Sequence, residues 1–274
     1  MCRKQSKIIS IREEILDAID EAFQVMAKKD YISFILFIGR ADIINGLKPY
    51  QGTDCVIDYQ LDTIYDETRA EFYVRYLRRN YSRDGFTYDG DSGIDDMHIE
   101  LMIYSHLWDS SYYIKSLMRI ASIVNGNGYI WNPEIDWMHK DVFMKKWIID
   151  PLNASGLKLG PLVETCYDPS VRNAFAHSLY TIDAERRQIT VRPRKGIKTL
   201  SFDEFQSLFL HSVILMNKME NALETNHRMA AEKNTALTDV FMTPDGVRIQ
   251  VFGELVQRGK IINPEFRIAK IIGE

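Results

Sequence analysis

The sequence predicts a mainly α-helical fold with a short β-hairpin and a small β-containing segment at the C-terminus. Apolar residues recur at helical spacing through most of the 274 residues. Past residue 178, polar and apolar residues alternate on both sides of a short polar connection, which indicates a hairpin. Beyond about residue 228, a Pro-Asp-Gly turn lies between two apolar runs, which favours strands again.

The helical pattern divides into segments separated by polar stretches. Ser10 and Glu13 form a capping box near the start of the first helix, and Ser201 with Glu204 predicts the start of the last. The predicted helices cover residues 8–29, 61–81, 97–124, 139–152, 157–166 and a long stretch from Ser201, with an apolar segment at 31–46. An acidic, glycine-containing stretch at 82–96 is the best internal boundary. We therefore expect a helical region packed on the bundle at 1–96, a helical core at 97–226 and a β-containing extension at 227–274.

The composition is that of an ordinary globular protein, with 46% hydrophobic and 26% charged residues. The net charge of −4 gives no global signal for nucleic acid. Three widely separated cysteines favour neither a disulfide framework nor a zinc site and are typical of a reducing cytosol. The N-terminus lacks the apolar core of a signal peptide, and the longest apolar run, residues 31–39, is too short to span a bilayer. We expect a cytoplasmic protein with no membrane partner.

Residues 89–100 match a calcium-binding EF-hand loop only in part. Asp89, Asp91 and Glu100 take positions 1, 3 and 12 of such a loop, but Ile94 stands where the sharp turn needs glycine. A solvated loop is therefore the favoured interpretation. No other spacing of histidines, cysteines or acids matches a metal site, and no phosphate-binding loop is present. The sequence predicts no metal and no cofactor.

The stretch YDPSVRNAFAHSLYTID, residues 167–183, concentrates chemically capable side chains in one short helix. Asp168 can cap a helix that Pro169 opens, and a strand pattern follows. Between these signals lie the candidate catalytic residues Arg172, Asn173 and His177. A chain of this composition contains an arginine and a histidine at such a spacing about once by chance. The spacing alone therefore does not identify a site, and the neighbouring helix cap, strand pattern and basic residues have to support it.

A cluster of basic residues follows directly and contains no acid. On an acidic chain it predicts a local positive surface suited to RNA phosphates, with a merely solvated hairpin as the alternative. The cluster consists of Arg186, Arg187, Arg192, Arg194, Lys195 and Lys198.

The order RNAFAHSLYTID, then a hairpin, then LSFDEFQSLFLHSVIL resembles the HEPN superfamily, whose members carry an arginine, four to six residues and a histidine. The resemblance covers about residues 97–226 and includes the upstream segment 107–131. It implies a helical bundle that dimerises, and in many members a metal-independent ribonuclease of toxin–antitoxin, phage-defence or RNA-processing systems. It implies that Arg172 and His177 are the catalytic pair, with Asn173 as the polar residue after the arginine. The chain departs from the His-x-Tyr pattern of some toxins, because Tyr180 lies one residue further on.

The chemistry of these residue types agrees with that resemblance. RNA cleavage by its own 2′-hydroxyl needs a proton acceptor and a cation for the phosphate, which a histidine and an arginine supply without metal. Five residues along an α-helix turn through about 500°, so Arg172 and His177 would diverge by about 140° on one straight helix. Either the helix ends before His177, or a second copy completes the site. We expect both residues at a dimer groove beside the basic hairpin 184–198.

Two alternatives remain open. A non-catalytic RNA-binding or protein-interaction scaffold of the same fold would use Arg172 and Asn173 to hold the bundle together, for example through Asp109 or Glu164. A nucleotide- or calcium-dependent enzyme of another kind has no supporting motif. The RNA target, any antitoxin or partner protein, and the role of the two flanking regions do not follow from the sequence.

Overall fold

The computed structural model describes residues 2–43, 55–56, 94–193, 196–232, 241–242, 248–258 and 261–270. The helices are α1 (Cys2–Lys29), α2 (Tyr31–Ile38), α3 (Ile94–Leu107), α4 (Ser111–Val124), α5 (Lys140–Met144), a π-helical turn (Lys145–Ile149), α6 (Asp150–Ala154), α7 (Leu159–Cys166), α8 (Pro169–Ala176) and α9 (Phe202–Glu232). The strands are β1 (Asp42–Ile43), β2 (Cys55–Val56), β3 (Tyr180–Asp183), β4 (Gln188–Val191), β5 (Lys198–Ser201), β6 (Phe241–Met242), β7 (Arg248–Arg258) and β8 (Ile261–Lys270).

The described residues are mainly helical, as the sequence predicts. The predicted hairpin is present as β3 and β4, and β5 adds a third antiparallel strand to it. Strands β6 to β8 form a second three-stranded antiparallel sheet in the C-terminal segment. The Pro-Asp-Gly sequence between β6 and β7 and the predicted helix at 61–81 lie outside the described residues. Among the helices that the structure describes, none is long and apolar enough to cross a bilayer.

One hydrophobic core joins the helices. The amphipathic face of α1 packs against α9 and α4, and Ile15, Ile19 and Met26 on that face are fully buried. The predicted capping box at the start of α9 is confirmed: Ser201 Oγ accepts the Glu204 N–H at 3.2 Å, and the Glu204 carboxylate accepts the Ser201 N–H at 2.7 Å. The long helix α9 therefore begins at a defined point beside β5 and continues to Glu232.

Two predicted helix boundaries are wrong. Helix α1 already begins at Cys2, so Ser10 lies inside it, because no glycine or proline interrupts the chain before that point. The single helix predicted at 97–124 is broken into α3 and α4 at residues 108–110. Ser110 caps α4 by accepting the Tyr113 N–H at 3.2 Å, while the fully buried Trp108 donates its indole N–H to Ser212 at 3.2 Å.

The predicted solvated loop at 89–100 is also wrong in its second half. Residues from Ile94 onward form α3, and Glu100 is fully buried within that helix. The first part of the stretch, including Asp89 and Asp91, lies outside the described residues.

Candidate functional site

Helix α8 is built by strong local signals at both ends. The Asp168 carboxylate accepts the N–H groups of Ser170 at 2.8 Å and Val171 at 3.2 Å, which caps the N-terminus. At the other end, Ser178 takes a left-handed conformation with φ of 54° and donates to Phe175 O at 3.1 Å. This is the Schellman arrangement that terminates helices, here without glycine. The helix ends at Ala176, so the next residue, His177, is exposed beyond it.

Arg172 is fixed by an acid from a distant part of the chain. Its Nε donates to Asp109 Oδ1 at 3.0 Å, its Nη2 contacts the same oxygen, and its Nη1 donates to Asn173 Oδ1 at 2.6 Å. These contacts use three of the five N–H donors of a guanidinium, which leaves two for another ligand. The Arg172 side chain is 17% exposed. Asp109 is the partner that the scaffold alternative suggested, whereas Glu164 accepts from Asn153 instead.

Lys140 is the second cation on Asp109. Its Nζ donates to Asp109 Oδ1 at 2.5 Å and contacts the Trp108 carbonyl oxygen, and its side chain is only 2% exposed. Burial lowers the pKa of Lys140 to about 8; Asp109 opposes that shift and Arg172 adds to it. The Trp108 carbonyl is available because the helix breaks there, so the break between α3 and α4 helps to form this cluster.

Asn173 bridges the arginine to a second acid. Its Nδ2 donates to Asp141 Oδ2 at 3.4 Å, and the other oxygen of Asp141 accepts the Tyr167 hydroxyl at 2.9 Å. Burial, with the neighbouring Asp141 carboxylate, raises the pKa of Tyr167, so that hydroxyl remains a donor at neutral pH. Asn173 therefore orients Arg172 from one side and the Asp141 carboxylate from the other.

A cleft of about 870 Å³ lies over these residues. One wall is formed by residues 137–142 and the other by residues between 169 and 179, with Arg192 and Pro193 at one end. The same cleft is lined by the three predicted catalytic residues, Arg172, Asn173 and His177.

A second histidine, His139, lies in the opposite wall. Its Nδ1 is 3.1 Å from Asp136 Oδ2, and Asp136 Oδ1 also accepts the His139 N–H at 3.0 Å. An Nδ1–H donated to the carboxylate leaves Nε2 as the acceptor. The sequence pattern alone does not single out His139 as a site residue. Its Asp-x-x-His turn immediately before a helix is the local signal that would have singled it out.

The structure describes four of the six predicted phosphate-binding residues, and these four lie apart from one another. Arg192 lines the cleft, and Lys198 contacts the capping residue Asp168. Arg186 and Arg187 lie in the turn at the far end of β3 and β4; Arg186 is 3.7 Å from Asp183 and Arg187 covers the Phe202 ring at 5.2 Å. Arg194 and Lys195 lie outside the described residues.

The charges that line the cleft favour an anion. The cations Lys140, Arg172 and Arg192 line the cleft together with one carboxylate, Asp141, which accepts from Tyr167 and Asn173. Asp109 is a second carboxylate, bound to both Lys140 and Arg172, so the group retains one positive charge. Within the part of the chain that the structure describes, no three histidine, cysteine, aspartate or glutamate side chains come together as a metal-binding group.

No protein-family model, curated protein or solved structure matches the chain. The arrangement must therefore be interpreted from its own chemistry. His139 and His177 line one cleft together with the mostly buried guanidinium of Arg172, which has two remaining N–H donors. Such a site can bind a phosphate group and move protons beside it.

Proposed function

We propose that this chain is a metal-independent endoribonuclease of the HEPN type. The observation that supports it best is that Arg172, Asn173 and His177 line one cleft, although one straight helix would separate the arginine from the histidine. The sequence resemblance to HEPN proteins supplies the reaction, and the cationic floor of the cleft agrees with a phosphate substrate.

The proposed reaction is transfer of the phosphate to the neighbouring 2′-oxygen. The 2′-hydroxyl oxygen attacks phosphorus as its proton passes to one imidazole, and the bond from phosphorus to the 5′-oxygen breaks. The 5′-oxygen takes a proton from a second imidazole, which leaves a 2′,3′-cyclic phosphate and a 5′-hydroxyl. Arg172 stabilises the charge on the phosphate oxygens with its two remaining N–H donors. Asn173 acts as a positioning residue for Arg172.

Two sources of the second imidazole are compatible with this reaction. His139 in the opposite wall can serve within one protomer, or a homodimer can bring a second His177 to the cleft. The HEPN resemblance favours the homodimer. It also favours a role in a toxin–antitoxin or phage-defence system, in which an antitoxin or another partner protein would bind this chain.

The test is cleavage of a synthetic single-stranded RNA by the purified protein in EDTA. We expect cleavage by the wild type, a loss of about 10²- to 10⁴-fold in His177→Ala, and no loss in His106→Ala, which removes an exposed histidine away from the cleft. RNA left equally intact by the wild type and by His177→Ala would contradict the proposal. Growth arrest on expression in bacteria, absent in His177→Ala, would test the toxin role.

A non-catalytic scaffold is the second candidate, because Arg172 gives three donors to its own chain and joins α8 to the α3–α4 break. Thermal melts separate the two. A structural role predicts a large loss of stability in both Arg172→Ala and His177→Ala, whereas a catalytic His177, exposed and at a helix end, is replaceable with little loss of stability.

A further inference from the structure

Trp137 lies at the rim of the cleft with 47% of its surface exposed. Trp137 is not part of the hydrophobic core, and neither of the proposed chemical steps uses it. Exposed aromatic rings are the usual platforms on which proteins stack unpaired bases.

The backbone next to Trp137 is held by the turn around it. Asp136 Oδ1 accepts the N–H groups of Met138 at 3.1 Å and His139 at 3.0 Å, and Asp136 Oδ2 is bound to the His139 ring. These contacts fix the backbone on the C-terminal side of Trp137. The indole is thus presented by an ordered turn directly before helix α5.

The ring is also next to the cationic floor. Lys140 Nζ lies 5.0 Å from the centre of the Trp137 ring, 2.5 Å from Asp109 and, through that acid, beside Arg172. Because these distances are short, a base stacked on the Trp137 indole would be one or two nucleotides along the strand from the phosphate bound by Arg172. Because Lys140 covers one side of the ring, the remaining exposed surface is available to a flat ligand.

We infer that Trp137 is a base-stacking platform and that the cleft accepts single-stranded RNA, with one base on the indole and a neighbouring phosphate on the cations. This inference rests on the proposed ribonuclease function and names its substrate class. A duplex does not fit this arrangement, because its bases are paired and stacked on one another and present no free face.

The chain offers a matched control in Trp147. It is 46% exposed, its ring lies 4.9 Å from Lys146 Nζ, and it does not line the cleft. Trp137→Ala and Trp147→Ala thus remove the same side chain at nearly the same exposure, one at the cleft and one away from it. Trp137→Phe keeps an aromatic ring at the rim.

The experiment measures binding of a short 2′-O-methyl oligoadenylate by fluorescence anisotropy. This probe cannot be cleaved because its 2′-oxygen carries no proton. We expect binding about 5- to 100-fold weaker in Trp137→Ala, largely restored in Trp137→Phe, and unchanged in Trp147→Ala. An oligomer of abasic sites should bind the wild type and Trp137→Ala equally, and a blunt RNA duplex should bind less tightly than the single strand.

Equal affinities of Trp137→Ala and wild type for the oligoadenylate would overturn the inference, as would a duplex that binds as tightly as the single strand. A changed oligomeric state of Trp137→Ala in sedimentation, with unchanged RNA binding, would assign the ring to a protein interface instead and also overturn it. Failure of the ribonuclease proposal is a separate result: it appears as absent cleavage, while the dependence of binding on Trp137 persists.

Discussion

Asp109 accepts the Nε–H of Arg172 at 3.0 Å and thereby joins helix α8 to the break between α3 and α4. The same oxygen accepts Lys140 Nζ at 2.5 Å, so one carboxylate lies between two cations that come from different parts of the chain. Asp109 therefore both positions the proposed phosphate-binding arginine and compensates a lysine that is almost completely buried. Stability and activity are expected to depend on it together.

Replacing Asp109 by asparagine should destabilise the protein by about 3 kcal/mol, because Lys140 loses the charge that compensates its burial. In denaturant unfolding, the midpoint concentration should fall while the slope of the free energy of unfolding against denaturant concentration stays unchanged. The matched control is Asp150→Asn, whose partner Lys145 is 67% exposed, and it should show no resolvable change. Equal midpoints for the two variants would contradict the structural role of Asp109.

The lowered pKa of Lys140, about 8, predicts a stability that increases with pH. The lysine binds a proton less tightly in the folded state than in the unfolded state, where its pKa is about 10.5. The contribution of Lys140 to the free energy of unfolding is therefore largest above pH 10.5. It falls as the pH drops from 10.5 to 8 and is constant below that. The free energy of unfolding of the wild type, relative to Lys140→Met, should rise by about 3 kcal/mol across that window. If the difference in free energy of unfolding between the wild type and Lys140→Met stayed constant with pH, folding would not lower the pKa of Lys140.

His139 and His177 are predicted to be the two proton-transfer groups of one cleft. His139→Ala should lower the single-turnover cleavage rate about 10²- to 10⁴-fold, as His177→Ala does. If a second His177 supplies the other imidazole instead, His139→Ala should cleave normally. An excess of His177→Ala mixed with the wild type should then abolish cleavage, because each mixed dimer holds a single His177. His106→Ala serves as the control in both experiments.

Arg192 and Arg186 should contribute differently to RNA binding, because Arg192 lines the cleft and Arg186 lies in the far turn of the hairpin. Arg192→Ala should weaken binding and reduce the slope of log affinity against log salt by about 0.7, the value for one contact to a single strand. Arg186→Ala should leave the slope unchanged. The same reduction in both variants would indicate a general charge effect instead of a defined site.

Ser178 holds a left-handed conformation, with φ of 54°, at the end of α8. Glycine adopts this conformation without the steric cost of a side chain, so Ser178→Gly should stabilise the protein by about 0.5–1 kcal/mol. Ser178→Val should destabilise it, because a β-branched residue is least tolerated there. Denaturant midpoints check both, and a lower midpoint for Ser178→Gly would show that the Ser178 side chain makes a contact of its own.

Local signals explain how much of the site the sequence predicts. The capping residue Asp168 and the following proline define the start of α8, and the strand pattern after His177 defines its end, so the placement of Arg172 beside an exposed His177 follows from neighbouring residues. The hairpin and the capping box of α9 are local in the same way.

The remaining parts of the site depend on contacts between distant segments. Asp109 and Ser110 are residue types that can cap a helix, but apolar periodicity on both sides of them predicts one continuous helix, so the pattern does not predict the break that exposes Asp109. A lysine whose side chain is 2% exposed is equally unexpected, since lysine is ordinarily a surface residue. His139 and Trp137 become part of the cleft only because the chain around α5 lies opposite α8, where Asp141 accepts from Asn173.

The π-helical turn Lys145–Ile149 has a consequence for how such a cleft can arise. A π-turn accommodates one residue more than an α-turn within the same rotation, so the helix on its N-terminal side keeps the direction it would have without that residue. Removing Lys146 should therefore restore a regular helix and leave Trp137, His139 and Lys140 beside Arg172, as a structure of the deletion would show. The turn thus lets the chain gain or lose one residue at this point while the cleft keeps its lining.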